Sequence, residues 1–227
     1  LRFLGREIEL RDESEGRAPS GYLARPHSAR GPGVLVLHAP PSALVEGREA
    51  CERLAREGFV ALAPALADPA STQGSPDAQQ AAPQLAGSRI ASAIGTLFDE
   101  EATQGPKLGC VGFGAAGSLA LAAAARERRL GALVLVDACE IPPGVDPTQL
   151  RAPVLGLFAK DDPTTAEGGE EDLERHLHRG CKSSKIIVFP GAHRGFLECA
   201  RGEVHDARLA AQAWGELLAF LRAELGS

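Results

Sequence analysis

Four short stretches of this sequence concentrate the residues that could do chemistry: His38-Ala39, residues 112–116, Asp161-Asp162 and His193-Arg194. Each follows an apolar run that reads as a buried strand. In open α/β sheets, ligands and reacting groups gather at the carboxyl ends of such strands. Along the chain these ends supply a first turn, a nucleophile turn, an acid and a base. That is an order in which covalent ester chemistry is assembled. The second stretch carries the frame Gly112-Phe113-Gly114-Ala115-Ala116-Gly117. Glycines flank such a turn because neighbouring backbone comes too close for a Cβ. Its central residue, Gly114, has no nucleophilic atom. The frame for covalent attack is legible and the attacking group is not.

The elements that must position these residues alternate regularly. Residues 2–10 and 20–25 read as two strands of an antiparallel entry, joined by a polar turn over 11–19. Val34-Leu35-Val36-Leu37 is continuously apolar, as expected of a strand buried on both faces. Residues 46–57 have helical spacing, with Ala50, Leu54 and Ala55 on one side, and Gly58 stands at the C′ position. Residues 59–63 form the next strand, stopped by Pro64. This βαβ unit implies a right-handed crossover and a parallel sheet. Residues 64–86 are rich in Ala, Gln, Ser, Pro and Asp and read as a surface excursion, either a solvated loop or part of a pocket rim.

Residues 88–100 have helical spacing again. Residues 107–125 read as a strand, a glycine-tight turn and a helix. Strands follow at 131–136, 154–158 and 185–189, with a charged helix over 167–180. A closing amphipathic helix over 207–225 carries Leu209, Ala213, Trp214, Leu217, Leu218 and Leu221. The pattern predicts a single α/β domain over 1–227, with a mostly parallel central sheet flanked by helices on both faces.

Composition excludes several functions. Aromatics are only 4% of the chain, so core volume must come from Ala, Leu and Val, and no aromatic-rich recognition surface is available. The formal net charge is −6, and the densest basic stretch is residues 126–129. This argues against nucleic acid or an anionic membrane as partner. No run approaches the ~18 apolar residues of a membrane span. The opening LRFLGREIEL carries charges inside any apolar stretch and does not read as a secretion signal. Five cysteines at scattered spacings form no CxxC or CxxH pair, so zinc and disulfide frameworks lack support. His176-x-His178 would point to different helix faces. The expectation is a cytoplasmic protein with reduced thiols, needing no metal or cofactor.

Seven stretches in order carry a resemblance: GYLARP (21–26), GVLVLHAP (33–40), LAREGFVALAPAL (54–66), KLGCVGFGAAG (107–117), APVLGLFAKDDP (152–163), FPGAHRGF (189–196) and AQAWGELLAFL (211–221). The chain resembles the dienelactone hydrolase family, and the resemblance runs almost from end to end. It implies the α/β-hydrolase fold and a Cys–His–Asp hydrolase of lactones or esters, usually of small carboxylated substrates. The elbow resembles the family's Gly-x-Cys-x-Gly-Gly, which puts Gly114 at the cysteine. FPGAHRGF resembles Tyr-Pro-Gly-Ala-x-His-x-Phe, which puts Arg194 at the histidine. FAKDDP places Asp162 at the acid, with Asp161 one register away. HAPP resembles His-Glu-x-x, whose glutamate gates the nucleophile; Ala39 stands there. Only the acid position keeps its type. Glycine offers nothing for a base to activate. Arginine stays charged and takes no proton near neutral pH. The amide of Ala115 would supply half an oxyanion hole.

Displaced groups would have to substitute. His193 is one residue before the base position and otherwise reads as a solvent-facing loop histidine. Cys139 follows a strand end, where it would line a pocket, and otherwise reads as buried and inert. Ser118 lies inside the helix, where it packs or caps. Cys110 reads as core, and His176, His178 and His205 as surface residues. His38 reads as a pocket donor or a filler. By the resemblance Arg194 would lie beside Asp162, either as a structural ion pair or as a bidentate clamp for a carboxylate or phosphate. The preferred expectation is a pseudo-hydrolase that binds a small molecule or a protein partner, the small molecule being anionic where Arg194 acts as a clamp. The alternatives are an active lactone or ester hydrolase using Cys139 or a water, His193 and Asp162, and a structural or assembly module.

Overall fold

In the computed structural model the described residues are 2–10, 20–27, 29–39, 43–66, 76–138, 140–160, 169–180, 183–197 and 206–226. They fall into two compact units, Leu1–Gly105 and Pro106–Ser227.

In the first unit, β1 (Phe3–Glu9) and β2 (Ser20–Pro26) are the antiparallel entry read from the sequence. β2 then pairs antiparallel with β4 (Val60–Pro64), and β4 pairs parallel with β3 (Gly31–Leu37). The strand order is β1-β2-β4-β3. Every residue of β3 and β4 is buried. Side chains alternate along a strand, so both faces are covered, which is why these runs read as continuously apolar.

α1 (Ala43–Arg56) packs on β2, β3 and β4. It ends in a Schellman motif: Gly58 has φ 99°, its N–H donates to Ala55 O at 3.2 Å, and Phe59 N donates to Leu54 O at 3.1 Å. Gly58 supplies the left-handed residue that closes the last carbonyls. Tyr22 on β2 donates to Glu52 of α1 at 2.9 Å, and the Arg48 guanidinium lies 4.7 Å above its ring.

α2 (Pro76–Asp99) corrects the sequence reading of residues 64–86 as one irregular excursion. Residues 76–86 are helical, and residues 67–75 lie outside the described set. Proline is pre-set for a first helical position, and Ala and Gln favour the helix. Small residues on every side leave no apolar stripe, so periodicity misses the element.

In the second unit, β5 (Thr103–Phe113), β6 (Leu130–Val136), β7 (Val154–Ala159) and β8 (Ser184–Phe189) pair in that order, all parallel. β6 and β7 are buried throughout. α3 (Ala116–Arg126) lies on β6, α4 (Gly169–Gly180) on β8, and α5 (Ala207–Leu225) on β6 and β7. Asp206 caps α5, accepting from the amides of Arg208 and Leu209 at 2.9 Å each. The small residues of α3 let it approach the strands closely. A Cβ on Gly112 would lie 2.8 Å from both Ala120 Cβ and Gly117 Cα, and one on Gly117 would collide with Ala138. The glycine frame is therefore needed for helix-on-strand packing, whatever stands at residue 114.

Candidate functional site

β5 ends at Phe113 and α3 begins at Ala116, so two residues reverse the chain. Gly114 does this at φ 53°. Its N–H donates to Val136 O at 2.8 Å, and its carbonyl accepts from Gly117 N at 3.0 Å. This left-handed turn would hold any side chain at residue 114 out above the strand end, under strain that glycine escapes. Ala115 follows, exposed and in αR conformation, and caps α3 without a side-chain hydrogen bond.

The turn after β8 meets it. Ala192 N donates to Phe189 O at 3.2 Å, and Phe196 N to His193 O at 3.0 Å. The Phe196 ring packs on Phe189 at 5.3 Å, and Trp214 Nε1 of α5 donates to Leu197 O at 3.4 Å. Arg194, half-buried in this turn, reaches the elbow. A Cβ placed on Gly114 would lie 3.2 Å from Arg194 Nη2. The guanidinium thus stands against the position where a side chain at residue 114 would begin.

Asp137 completes the arrangement. It follows β6 directly and is 6% exposed. Its Oδ1 accepts from Ala159 N at 2.8 Å and its Oδ2 from Gly195 N at 2.9 Å. Among the described residues it is the one non-glycine with positive φ, at 50°. Sequence reasoning passed over it. The available signal was an acidic residue placed immediately after the all-apolar run GALVLV.

The other expected residues are placed as follows. Cys139, Asp161, Asp162 and His205 lie outside the described residues, so an Arg194–Asp162 pairing is not described either. His193 is exposed, and His176 and His178 are exposed on α4. Ser118 Oγ donates to Glu140 O at 3.3 Å. In the first unit His38 is 4% exposed, with Nδ1 3.3 Å from Glu46 Oε2. Its neighbour Ala39 is half-buried. Glu46 reaches His38 from the first turn of α1, and nothing in its spacing announces the contact. Arg89 is buried on α2, its Nη1 donating to Ala65 O at 3.1 Å.

Cys51 and Cys110 are free and buried. Burial alone pushes the Cys110 thiol up to about 12, and burial pushes Cys51 higher, with the nearby Glu52 charge adding to it. A thiol attacks as thiolate, so both are inert at neutral pH. Cys51→Ser and Cys110→Ser are each expected to leave unchanged the number of thiols that the native protein presents to Ellman's reagent at pH 8. A drop of one thiol in either variant would refute this.

The sequence model of the dienelactone hydrolase family matches residues 20–225. The chain belongs to that family. Its α/β-hydrolase fold is shared with a dienelactone-hydrolase-like promiscuous phosphotriesterase from metagenomic libraries, at TM-score 0.83 and 20% identity, covering 98% of each chain. It is also shared with the dienelactone hydrolase of Anabaena variabilis, at TM-score 0.65 and 19% identity, covering 97% of this chain and 99% of the other. In sequence the chain is 26% identical to the protein usf of Aquifex pyrophilus, over 96% of this chain and 98% of that one. Of the three positions that the sequence resemblance expects to be exchanged, Gly114, Arg194 and Ala39, the structure brings Gly114 and Arg194 into contact range. No helix among the described residues is long and apolar enough to cross a membrane.

Proposed function

We propose that this dienelactone-hydrolase-family protein does not carry out covalent hydrolysis at its elbow and instead binds a small anionic molecule there, in the cytoplasm. The observation that carries this reading is the Arg194 guanidinium, with Nη2 3.2 Å from where a Gly114 Cβ would lie. This supports the reading because a cation stands beside the position that the resemblance gives to the nucleophile, and arginine cannot act as a base. The same cation is a planar, permanently charged donor fork suited to a carboxylate or phosphate. It lies close to the start of α3, whose first turn carries no acidic residue and no side-chain cap. An anion would be favoured there by both the guanidinium and the helix dipole. The protein-partner and assembly readings have no comparable observation behind them.

The test has two arms. The wild-type protein is incubated with p-nitrophenyl acetate and with dienelactone-like substrates, and no saturable turnover is expected. Turnover lost on Cys139→Ala or His193→Ala would sink the reading. Calorimetric titration with inorganic phosphate and with a small dicarboxylate is expected to show binding that Arg194→Ala weakens about tenfold or more, as for loss of one charge-assisted contact. Binding indifferent to Arg194 would overturn the assignment of the ligand site.

A further inference from the structure

We infer that Asp137 is a positioning residue, a latch that seats the 190–197 turn, and with it Arg194, at the elbow. Gly195 is buried and has φ 82°, so its amide is directed inward and must find an acceptor. It finds Asp137 Oδ2 at 2.9 Å. The other oxygen accepts the amide of Ala159, the last residue of β7, at 2.8 Å. The backbone N–H of Asp137 in turn donates to Leu157 O at 2.9 Å. One short side chain thus ties together the end of β6, the end of β7 and the residue next to Arg194.

Several observations mark this as more than chance packing. A carboxyl group only 6% exposed must have its oxygens satisfied, and here both are satisfied by backbone amides. Asp137 does this with its backbone at φ 50°, a conformation that aspartate tolerates better than most residues but that still carries strain. From that bend the carboxylate meets both amides. Arg194 then follows from Gly195, its neighbour in sequence, and extends to within 3.2 Å of the Gly114 Cβ position. The latch acts through Arg194 and makes no claim to touch a ligand. It deepens the reading of the elbow as an anion site, since it names what fixes the guanidinium there.

The chain carries its own reporter. Trp214 is the only tryptophan, and its Nε1 donates to Leu197 O at 3.4 Å, at the far end of the same turn. Asp137→Asn keeps the volume and the tolerance of positive φ, but its amide group presents a donor where one acceptor stood. The end of β7 is fixed by its strand neighbours, so the bond to Gly195 is the one that yields. Mass-spectrometric hydrogen exchange should show the peptide spanning 190–197 exchanging roughly 10- to 100-fold faster in Asp137→Asn, the size expected for a hydrogen bond to a charged acceptor. Peptides from β6 should be unchanged, which a general loss of stability would not produce. Trp214 emission should shift to the red, and acrylamide quenching should rise. Uniform exchange changes, or an unchanged Trp214 signal, would overturn the latch.

If Asp137→Asn does not fold, the wild-type protein still decides. Its 190–197 peptide should be as protected as β7, and fast exchange there would overturn the proposal. These readouts do not depend on ester turnover. Turnover by the wild type would sink the non-hydrolytic reading and leave the latch standing. A freely exchanging turn would do the reverse.

Discussion

The double variant Gly114→Cys/Arg194→His is expected to hydrolyse p-nitrophenyl acetate with saturable kinetics, about 100-fold or more above the wild-type background. The scaffold already contains what such a site needs from the backbone. The turn at residue 114 is left-handed at φ 53°, held by Val136 O and by Gly117 N, so a cysteine placed there would be presented as a nucleophile. The strain of a non-glycine residue in that conformation is of order 1–3 kcal/mol and must be borne by the surrounding packing. Replacing Arg194 removes the guanidinium from the space the thiol needs and supplies a group that can take its proton.

The single variants separate the two effects. Gly114→Cys alone puts a thiol beside a fixed cation, which favours thiolate. It should react quickly with iodoacetamide and still turn over no ester, because arginine offers no base. Arg194→His alone should do neither. A folded double variant with no activity would show that the elbow cannot be used for attack, and would weaken the placement of Arg194 at the base position.

Gly31→Ala should be among the most damaging single-methyl additions to the first unit, lowering stability by about 3 kcal/mol or more. The reason is backbone rather than side chain. A Cβ on Gly31 would collide with the carbonyl oxygen of Gly58. That carbonyl cannot swing away, because Gly58 sits in the Schellman motif that ends α1 and leads directly into β4. Gly31 cannot retreat either, since its N–H is bonded to Ala102 O at 2.9 Å. For a chain of this size, 3 kcal/mol corresponds to a fall of roughly 6–12 °C in Tm, which thermal unfolding followed by circular dichroism would register. A Tm within 2 °C of wild type would show that β3 and the α1–β4 corner can separate. Gly87→Ala is the control, because open space surrounds that position on α2 and no loss is expected.

The residues that sequence reading handled well are those whose signal is local. Val34 to Leu37 declares a two-face buried strand by being apolar without interruption, and residues 207–225 declare a helix by their spacing. Gly58 declares a helix end because few other residues take φ 99°. The elbow was legible for the same reason: Gly112 and Gly117 are dictated by helix-on-strand clearance, which leaves a mark at fixed spacing. The N-terminal half of α2 was not legible, because its small residues carry no stripe to count.

The chemistry at the elbow divides along the same line. The sequence alone determined that residue 114 has no nucleophile and that residue 194 has no base, since both are properties of single side chains. Only the tertiary structure brought these two residues together, with Arg194 Nη2 3.2 Å from where a Gly114 Cβ would lie. Only it revealed that Asp137, 58 residues from Gly195, holds the turn on which Arg194 sits. Such pairings depend on strand order and on where each strand stops. Those are set by packing across the sheet, and no periodicity within one segment encodes them.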